Sequence, residues 1–242
     1  EIEAQIILME PFARNTAAAV CAAAFALDAK NGDSLMLVSP SDHVITDFER
    51  FRATVEAAIP TASGGQIVTF GIRPDRAETG YGWLELPSKL SDNFEAVAQP
   101  LSSFVEKPEA EAADVLLRGG MHLWNAGIFL FSTSNILTAF EQYAPQTLAE
   151  VRDAFGAAKA DLGFTRLAAE PWARLEDISI DYAVMEHAPN LSVMPYGGYW
   201  SDLGDWQAIW REGEADGFGV VTDGTSTALD CKNTLLLATS EA

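Results

Sequence analysis

The amino-acid sequence predicts an α/β fold in which a mainly parallel sheet carries helices on both faces. Three short apolar runs, at residues 6–8, 35–38 and 67–70, have the length and composition of buried strands. Two helical segments separate these runs, and this alternation favours parallel pairing of the strands. Apolar residues make up 48% of the 242 residues, which is enough to form a buried core.

The first two helices begin with clear signals. The first follows a loop at residues 10–16, with Asn15 or Thr16 as its expected N-cap, and the second opens on a capping box at residues 46–49. Ligands of open α/β sheets bind beyond the carboxyl ends of the strands. The loop at residues 10–16 and Asp42 both follow strands at such ends, so we expect a site there.

The remaining chain changes its pattern after residue 71. Further strands are expected at residues 83–86, 102–106, 128–131 and 191–196. Further helices are expected at residues 109–118, 134–143, 145–155 and 180–186. We therefore divide the chain into one domain at residues 1–215 and a β-rich tail at 216–242, which begins a C-terminal β segment.

Composition excludes several classes of partner. A net charge of −20 argues against nucleic acid and against an anionic membrane surface. No apolar run reaches the roughly 20 residues that a membrane span needs, and no signal peptide is expected. The two cysteines, Cys21 and Cys231, lack metal-ligand spacing and are expected to be free thiols in a reducing compartment, so we expect a cytoplasmic protein.

Two aspartates follow strand-like runs at distant positions in the sequence. Asp42 lies in the segment SPSDHVI, and Asp202 lies in GYWSDLGDW between two tryptophans. Two carboxylates that meet at one crevice would form a hard-cation site suited to Mg²⁺ bound to a phosphate. The alternative is that both aspartates cap a turn or a helix, with Asp202 serving the helix that starts near Asp205.

Other polar segments allow two interpretations each. Arg14 beside a helix N-terminus suits an anion or a polar ring, although Asn15 and Thr16 are also ordinary capping residues. Glu106 and Lys107 at a strand end form either a surface ion pair or contacts to a sugar hydroxyl and a phosphate.

Three more positions could serve a sugar or could be purely structural. Gly82, in the segment TGYGW, gives access to the backbone beside an aromatic wall, but it could equally form a hairpin turn. Asn125 before a buried strand could fix the backbone or bind a hydroxyl. Asp181 near a helix start could serve the helix dipole or bind substrate.

Seven ordered motifs together resemble the bacterial mannose-1-phosphate guanylyltransferases. They are EPFARNTA at 10–17, SPSDHVI at 39–45, TGYGW at 79–83, FVEKP at 104–108, WNAGIF at 124–129, SIDYAVME at 179–186 and WSDLGDW at 200–206. The resemblance implies a nucleotide-diphospho-sugar transferase fold, which is a Rossmann-like α/β/α sandwich with a mixed, mainly parallel sheet. It also implies that residues 1–215 form a nucleotidyltransferase catalytic domain.

The same resemblance implies a reaction and a set of site residues. GTP and mannose 1-phosphate would give GDP-mannose and diphosphate with Mg²⁺, usually for a cell-surface polysaccharide. Metal ligands would be Asp42 and Asp202. Nucleotide-binding residues would be Arg14, Asn15, Thr16, Asp42 and His43. Sugar-phosphate-binding residues would be Gly82, Glu106, Lys107, Asn125, Gly127 and Asp181. Catalytic residues would be Asp42, Asp202 and Lys107.

The chain departs from the pattern of these enzymes in two places. The family opens with a strand and a Gly-rich signature loop that cradles the triphosphate, and this sequence begins with Glu1 after that loop. We therefore expect that this chain lacks the N-terminal part of the protein and is inactive by itself. We expect the intact protein to be active. Ala126 stands where relatives usually carry Ser.

Two alternative functions stay open from the sequence. One is a sister sugar-1-phosphate nucleotidyltransferase that uses another base or sugar. The other is a non-catalytic subunit that binds a sugar nucleotide, which would fit the missing loop but not the retention of both aspartates. A homodimer is compatible with the sequence, and no membrane or nucleic-acid partner is expected.

Overall fold

A computed structural model describes residues 4–91, 96–224 and 226–238. The helices are α1 (Asn15–Asn31), α2 (Phe48–Ser63), α3 (Ala110–Gly119), α4 (Thr133–Tyr143), α5 (Pro145–Gly156), α6 (Ala169–Ala173), α7 (Trp206–Glu212) and a π-helical turn (Asp181–Met185). The first seven strands are β1 (Ile7–Met9), β2 (Leu35–Val38), β3 (Val44–Ile45), β4 (Ile67–Ile72), β5 (Trp83–Glu85), β6 (Gln99–Pro100) and β7 (Ser103–Val105). The others are β8 (His122–Ser132), β9 (Lys159–Asp161), β10 (Phe164–Arg166), β11 (Leu191–Tyr196), β12 (Trp200–Ser201), β13 (Val221–Thr222) and β14 (Leu235–Leu236).

The described residues form two compact units. Unit 1 comprises those of Glu1–Ser39 and Glu49–Gly197, and unit 2 comprises those of Pro40–Phe48 and Gly198–Ala242. The chain therefore leaves unit 1 after β2 and again after β11, and each time enters unit 2 just before one of the two predicted metal-binding aspartates. The predicted boundary at residue 215 stays a prediction.

Unit 1 is built on a seven-stranded sheet with the order β6-β11-β4-β8-β5-β7, in which β2 also pairs with β8. The predicted α/β class and mixed sheet are confirmed, but the expectation of mainly parallel pairing is wrong. Among the described strands of this sheet, only β11 and β4 pair in parallel. The reason is the long strand β8, which pairs antiparallel with β2, β4 and β5 and so separates strands that run in the same direction.

Strand β8 begins earlier than the sequence indicates. The sequence predicts a strand at 128–131 with Asn125 before it, whereas β8 starts at His122 and contains Asn125. The pairing of β4 with β8 shifts register between Thr69 and Gly71. Gly127 in this stretch has φ +66°, a left-handed conformation that suits glycine. The irregularity places Asn125 inside the sheet and turns its backbone locally.

Helices cover both faces of the sheet, as predicted. The main core joins the apolar face of α1 with α4, α5 and the buried side chains Met36, Ile67 and Phe129. On the other face, Phe51 of α2 contacts Phe70 at 5.8 Å and Tyr196 at 5.7 Å between ring centroids. Because the alanine side chains of α1 are small, the helix packs closely against its neighbours.

Cys21 lies in the α1 core, where burial raises the pKa of its thiol to about 12. Cys231 is only partly buried, and both cysteines are free, as expected.

A small sheet adds two strands that the sequence did not indicate. Strand β1 pairs in parallel with β10, and β10 pairs antiparallel with β9. Strands β9 and β10 have three residues each and carry charged side chains, Lys159, Asp161 and Arg166. Such short, polar strands lack the apolar alternation from which strands are predicted.

Unit 2 contains two short two-stranded ladders and one helix. Strand β12 pairs antiparallel with β3, with Trp200 opposite Ile45 and Ser201 opposite Val44. Strands β13 and β14 pair in parallel within the predicted β-rich tail. Across the described part of the chain, no helix has the length and apolar character to cross a membrane.

Candidate active site

The two predicted metal-binding aspartates both lie in unit 2. Asp42 is exposed and precedes β3, whereas Asp202 is half-buried and follows β12. Because β3 and β12 pair antiparallel, the register continued by one residue puts Asp202 opposite His43, the neighbour of Asp42. The fold of unit 2 therefore brings together two carboxylates that are 160 positions apart in the sequence, as 202 minus 42 shows.

The capping role considered for Asp202 belongs to Asp205 instead. The Asp205 carboxylate accepts a hydrogen bond of 2.6 Å from the Ala208 N–H and thereby caps α7. The Asp202 Oδ1 atom accepts from the Gly204 N–H at 3.1 Å, which fixes the carboxylate in a tight turn. A Cβ atom at Gly204 would lie 2.6 Å from Asp202 Oδ2, so any larger residue would require the carboxylate to move.

His43 is held between the two aspartates and a tryptophan. The Trp200 indole N–H donates to His43 Nδ1 at 3.2 Å, and the rings meet edge to face with centroids 5.3 Å apart. Burial lowers the pKa of His43, and the charges of Asp42 and Asp202 oppose that shift. With Nδ1 accepting a hydrogen bond, a neutral His43 carries its proton on Nε2.

Asp42 and Asp202, which we call the acidic pair, supply few protein ligands for a metal ion. In the described ranges, no group of three or more His, Cys, Asp or Glu side chains is arranged to hold a metal ion. A cation bound by Asp42 and Asp202 would therefore take its remaining oxygen ligands from water and from the bound phosphates, as Mg²⁺ commonly does.

The six residues predicted for the sugar phosphate lie together in unit 1. We call Gly82, Glu106, Lys107, Asn125, Gly127 and Asp181 the polar cluster. Asn125 is at its centre: its Nδ2 donates to Asp181 Oδ1 at 2.7 Å and its backbone N–H donates to the Gly82 carbonyl at 2.7 Å. Its Oδ1 accepts from the Gly127 N–H at 3.1 Å. These bonds link three segments that are distant in the sequence.

Glu106 has one carboxylate oxygen without a partner. Its side chain is 7% exposed, and its Oε1 atom lies 3.3 Å from Lys107 Nζ. Its Oε2 atom is buried and accepts no hydrogen bond from any described residue. Such an orphaned oxygen is costly unless a ligand satisfies it. Burial raises the pKa of Glu106, nearby Asp181 raises it further, and Lys107 opposes the shift.

Gly82 leaves the space that Glu106 occupies. A Cβ atom at Gly82 would lie 2.6 Å from Glu106 Oε2 and 3.0 Å from the Phe104 ring. Lys107 follows with φ +45°, and its backbone N–H donates to the Tyr81 carbonyl at 3.2 Å. The TGYGW loop therefore packs closely against the strand end at Glu106 and Lys107, and a backbone hydrogen bond joins the two segments.

Asp181 is a second carboxylate of the polar cluster, at the start of the π-helical turn. Burial raises the pKa of Asp181, while the hydrogen bond from Asn125 and the charge of Lys107 oppose that shift. The cluster therefore holds two carboxyls whose pKa values both lie above the ordinary range, beside one ammonium group. Perturbed groups of this kind concentrate at functional sites.

The predicted nucleotide loop is attached to the segment that carries Asp181. Neither Asn15 nor Thr16 caps α1, so that expectation is wrong: the N-cap is Arg14, without a side-chain cap, and α1 begins at Asn15 with φ +59°. The Thr16 hydroxyl instead accepts from the Ile180 N–H at 2.9 Å. Arg14 donates to the Ala173 carbonyl at 3.0 Å, and its buried Nε has no partner among the described residues.

Two features next to the polar cluster were not identified from the sequence. Thr69 of β4 is fully buried and donates to Asn125 Oδ1 at 2.8 Å. The Arg76 guanidinium stacks on Trp124 at 4.6 Å and also pairs with Glu78, which accepts from the Gly80 N–H at 3.1 Å. A threonine in an apolar strand has no distinguishing sequence signal, because β-branched residues are common there.

Comparisons with known proteins give the family. Residues 2–217 match the sequence profile of the family described as "Nucleotidyl transferase". A protein of Sinorhizobium fredii named mannose-1-phosphate guanylyltransferase is 42% identical over 96% of this chain and 45% of its own length. The xanthan biosynthesis protein XanB of Xanthomonas campestris pv. campestris is 39% identical over 96% of this chain and 49% of its own length. The chain thus spans about half the length of the curated relatives it matches.

A solved structure shows the same fold. A Thermus thermophilus protein described as a mannose-1-phosphate geranyltransferase superimposes with a TM-score of 0.79 at 32% identity. The match covers 95% of this chain and 65% of that one. The family match extends over the acidic pair of unit 2 as well as the polar cluster of unit 1. On these grounds, the chain belongs to the nucleotidyl transferase family.

Proposed function

We propose that the protein carrying this chain is a mannose-1-phosphate guanylyltransferase, which converts GTP and mannose 1-phosphate to GDP-mannose and diphosphate. The observation that carries the proposal is the buried, unpartnered Glu106 Oε2 atom within the polar cluster. A buried acceptor that lacks a donor suits a ligand with hydroxyl groups, and a sugar provides them. The name of the Sinorhizobium fredii relative, at 42% identity, supplies the sugar and the base.

The polar cluster would bind mannose 1-phosphate. Glu106 Oε2 accepts a sugar hydroxyl, and Asp181, oriented by Asn125, offers a second acceptor. Lys107 has a half-exposed ammonium group beside Glu106, where it can pair with the substrate phosphate. Gly82 and Gly127 supply the backbone space and the turn that hold these groups.

The acidic pair would hold Mg²⁺. Nucleotidyl transferases of this family generally use a divalent metal. Asp42 and Asp202 fit this role because both carboxylates flank one ladder, the charges of both act on His43, and Asp202 is held in its turn rather than used as a helix cap. When bound, Mg²⁺ neutralises phosphate charge and orients the triphosphate for displacement.

The chemistry needs orientation more than it needs a protein base. A phosphate oxygen of mannose 1-phosphate is already ionised, and it attacks the α-phosphorus of GTP in line with the bond to the β-phosphate. One P–O bond forms, one breaks, and diphosphate leaves with the bonding electron pair. Lys107 stabilises charge on the attacking phosphate, and the polar cluster holds the sugar in place.

The guanosine side would involve the N-terminal loop and the residues beside the acidic pair. Arg14, Asn15 and Thr16 lie at the start of α1 and are tied to residues 173–180, and the buried Arg14 Nε is a donor without a partner among the described residues. Asp42 and His43 would contact the nucleotide phosphates. Lys107, Asp42 and Asp202 are the residues we propose to be catalytic.

The remaining properties of the protein are also proposals. We place the catalytic domain at residues 1–215 and the start of a β-rich C-terminal segment at 216–242. A net charge of −20 supports a cytoplasmic enzyme that binds neither nucleic acid nor membrane. We propose a homodimer, which sedimentation of the native protein tests directly.

A nucleotide and sugar panel tests the function. The native full-length protein, with Mg²⁺, is assayed for diphosphate release from GTP, UTP or dTTP with mannose 1-phosphate or glucose 1-phosphate. We expect release with GTP and mannose 1-phosphate to exceed every other pair by at least about tenfold in kcat/KM. Preference for another pair would indicate a sister enzyme. Binding of GDP-mannose without diphosphate release from any pair would indicate a non-catalytic subunit and would overturn the proposal.

A further inference from the structure

We propose that Thr69 is a positioning residue for sugar-phosphate binding, because its buried hydroxyl fixes the orientation of the Asn125 side-chain amide. The inference rests on the proposed function of the polar cluster and adds a residue to it. Thr69 does not need to touch the substrate. It acts through Asn125, which in turn orients Asp181.

The contact is short, buried and directional. Thr69 is 0% exposed in β4, and its Oγ1 lies 2.8 Å from Asn125 Oδ1. The alternative acceptor, the Ile128 carbonyl, is 3.5 Å away. The hydroxyl has a single proton, and the shorter contact is the stronger bond, so Thr69 donates to the Asn125 amide.

Two donors at one oxygen determine which way the amide faces. Asn125 Oδ1 receives the Thr69 hydroxyl and the Gly127 N–H, while its Nδ2 donates to Asp181 Oδ1. A flipped amide would point its NH₂ group at the Gly127 N–H and its oxygen at a carboxylate, and Thr69 would have to turn its proton toward the more distant Ile128 carbonyl. The hydrogen bonds to Gly127 and Asp181 would be lost and that of Thr69 would be weaker, so the observed orientation is strongly preferred.

The register shift in the sheet is what makes this contact. Thr69 pairs with Phe129, whereas Gly71, two residues later, pairs with Asn125. A regular ladder would separate the side chains of residues 69 and 125, but the extra residues of β8 around Gly127 bring them within bonding distance. A valine would fill the same space without the donor, so the hydroxyl itself is the informative feature of Thr69.

Loss of the Thr69 hydroxyl should be transmitted to Asp181. The Asn125 hydrogen bond favours the ionised form of Asp181 against the effect of its burial. The other charged groups that act on Asp181 are Lys107, which favours ionisation, and Glu186 and Glu106, which oppose it. A mobile Asn125 would therefore leave a carboxyl that is less ionised and less well oriented toward a sugar hydroxyl.

The kinetic test compares Thr69→Val, Thr69→Ala and Thr69→Ser in the native protein. The control is Thr54→Val, which removes the hydroxyl of another buried threonine, whose bond of 2.8 Å goes to the Arg50 carbonyl within α2. We expect both hydroxyl-free variants of Thr69 to raise KM for mannose 1-phosphate about tenfold, with kcat and KM for GTP changed less than about threefold. Thr69→Ser and Thr54→Val should stay within about twofold of wild type.

A second readout does not depend on turnover. In ¹³C NMR titrations of the Asp181 carboxyl, Thr69→Val and Thr69→Ala should raise its pKa above the wild-type value, and Thr69→Ser and Thr54→Val should not. The proposal is overturned if Thr69→Ser behaves like Thr69→Ala, or if Asp181 titrates alike in all variants. If the wild type releases no diphosphate from GTP and mannose 1-phosphate, the proposed function fails, and the titration still decides the role of Thr69.

Discussion

The polar cluster of unit 1 and the acidic pair of unit 2 differ in how completely the protein itself organises them. In the cluster, Asn125 alone makes bonds to Thr69, Gly82, Gly127 and Asp181. The acidic pair has one exposed member, Asp42, and one half-buried member, Asp202, that is held in a tight turn. The difference follows from burial: a polar group inside a sheet must be satisfied by protein, whereas an exposed carboxylate is satisfied by water.

This difference in organisation matches two separate tasks of a transferase, which are to bind a sugar and to bind a cation. A sugar is distinguished by the positions of its hydroxyl groups, which requires acceptors that are fixed before the ligand arrives. A hydrated cation between phosphates needs charge and oxygen atoms, and it tolerates ligands that are completed by substrate. We therefore expect mutations in the cluster, apart from those of Lys107, to act on sugar-phosphate affinity and mutations of the acidic pair to act on turnover.

The largest effect is expected from the acidic pair. Asp42→Asn and Asp202→Asn each remove a negative metal ligand while keeping the side-chain shape, so kcat should fall by at least about 100-fold. Diphosphate release at saturating substrates and varied Mg²⁺ measures this effect. Asp205→Asn, an amide substitution three residues from Asp202 that retains a good N-cap, is the matched control and should stay close to wild type. Near-normal kcat in either ligand variant would remove that residue from the metal site.

Gly82→Ala should produce the next largest effect, and it should act on the sugar phosphate. The added methyl group would lie 2.6 Å from Glu106 Oε2 and 3.0 Å from Phe104, so the carboxylate has to move. KM for mannose 1-phosphate should rise by about tenfold or more, as measured by initial rates. The control is Gly80→Ala in the same loop, where the new atom would be 3.4 Å from Glu78. If the two variants have equal KM values, the space at Gly82 does not matter for binding.

Glu106→Gln tests the unpartnered acceptor with less disturbance of packing. KM for mannose 1-phosphate should rise about three- to tenfold with kcat nearly unchanged, because a neutral acceptor replaces a charged one. Burial and Asp181 raise the pKa of Glu106, so as the pH falls the wild-type KM should begin to increase at a higher pH than an ordinary carboxyl would cause. The substrate phosphate titrates equally for both enzymes, so the difference between their pH profiles isolates Glu106. Identical profiles would contradict the assignment.

The stability of the wild-type protein should depend on pH through Glu106, a contribution that Glu106→Gln lacks. The folded-state pKa of Glu106 is raised above its unfolded value, so between those values the folded protein binds more protons than the unfolded protein. The free energy of unfolding therefore declines as the pH rises through this window. Denaturant unfolding of Glu106→Gln should show a shallower decline. An equal decline in both proteins would mean that Glu106 is not desolvated in the folded state.

The smallest effect is expected from Asp205→Ala in unit 2. Removal of the N-cap of α7 should cost about 1 kcal/mol of stability, measured by denaturant unfolding, because the Ala208 N–H loses its acceptor. KM for mannose 1-phosphate should not change, since the polar cluster belongs to unit 1. A rise in that KM would contradict the separation of the two tasks.

Elements with strong local signals could be predicted from the sequence, and strand pairing could not. The apolar runs at 35–38 and 191–196 are the observed β2 and β11, and the helix predicted at 134–143 differs from α4 by one residue. The antiparallel insertion of β8 was missed because a buried strand has the same apolar composition whichever way its neighbours run. The error about mainly parallel pairing follows directly from that ambiguity.

The candidate site shows the same limit at the level of side chains. The six residues of the polar cluster were named from motifs, and the structure places them together, while their functional roles remain predictions. Thr69 was missed because its role depends on a register shift between two strands that are far apart in the sequence. The predicted capping by Asn15 or Thr16 failed because the Thr16 hydroxyl has a partner at Ile180, 164 residues away. Local rules cannot anticipate such long-range partners.

The separation of the two tasks is tested most directly by one kinetic comparison. KM for mannose 1-phosphate, kcat and the Mg²⁺ dependence of kcat are measured for the native protein, Glu106→Gln and Asp202→Asn in the diphosphate-release assay. The account predicts that Glu106→Gln raises KM with little change in kcat, and that Asp202→Asn lowers kcat and alters its Mg²⁺ dependence. A loss of kcat in both variants, with KM for mannose 1-phosphate unchanged in Glu106→Gln, would contradict it.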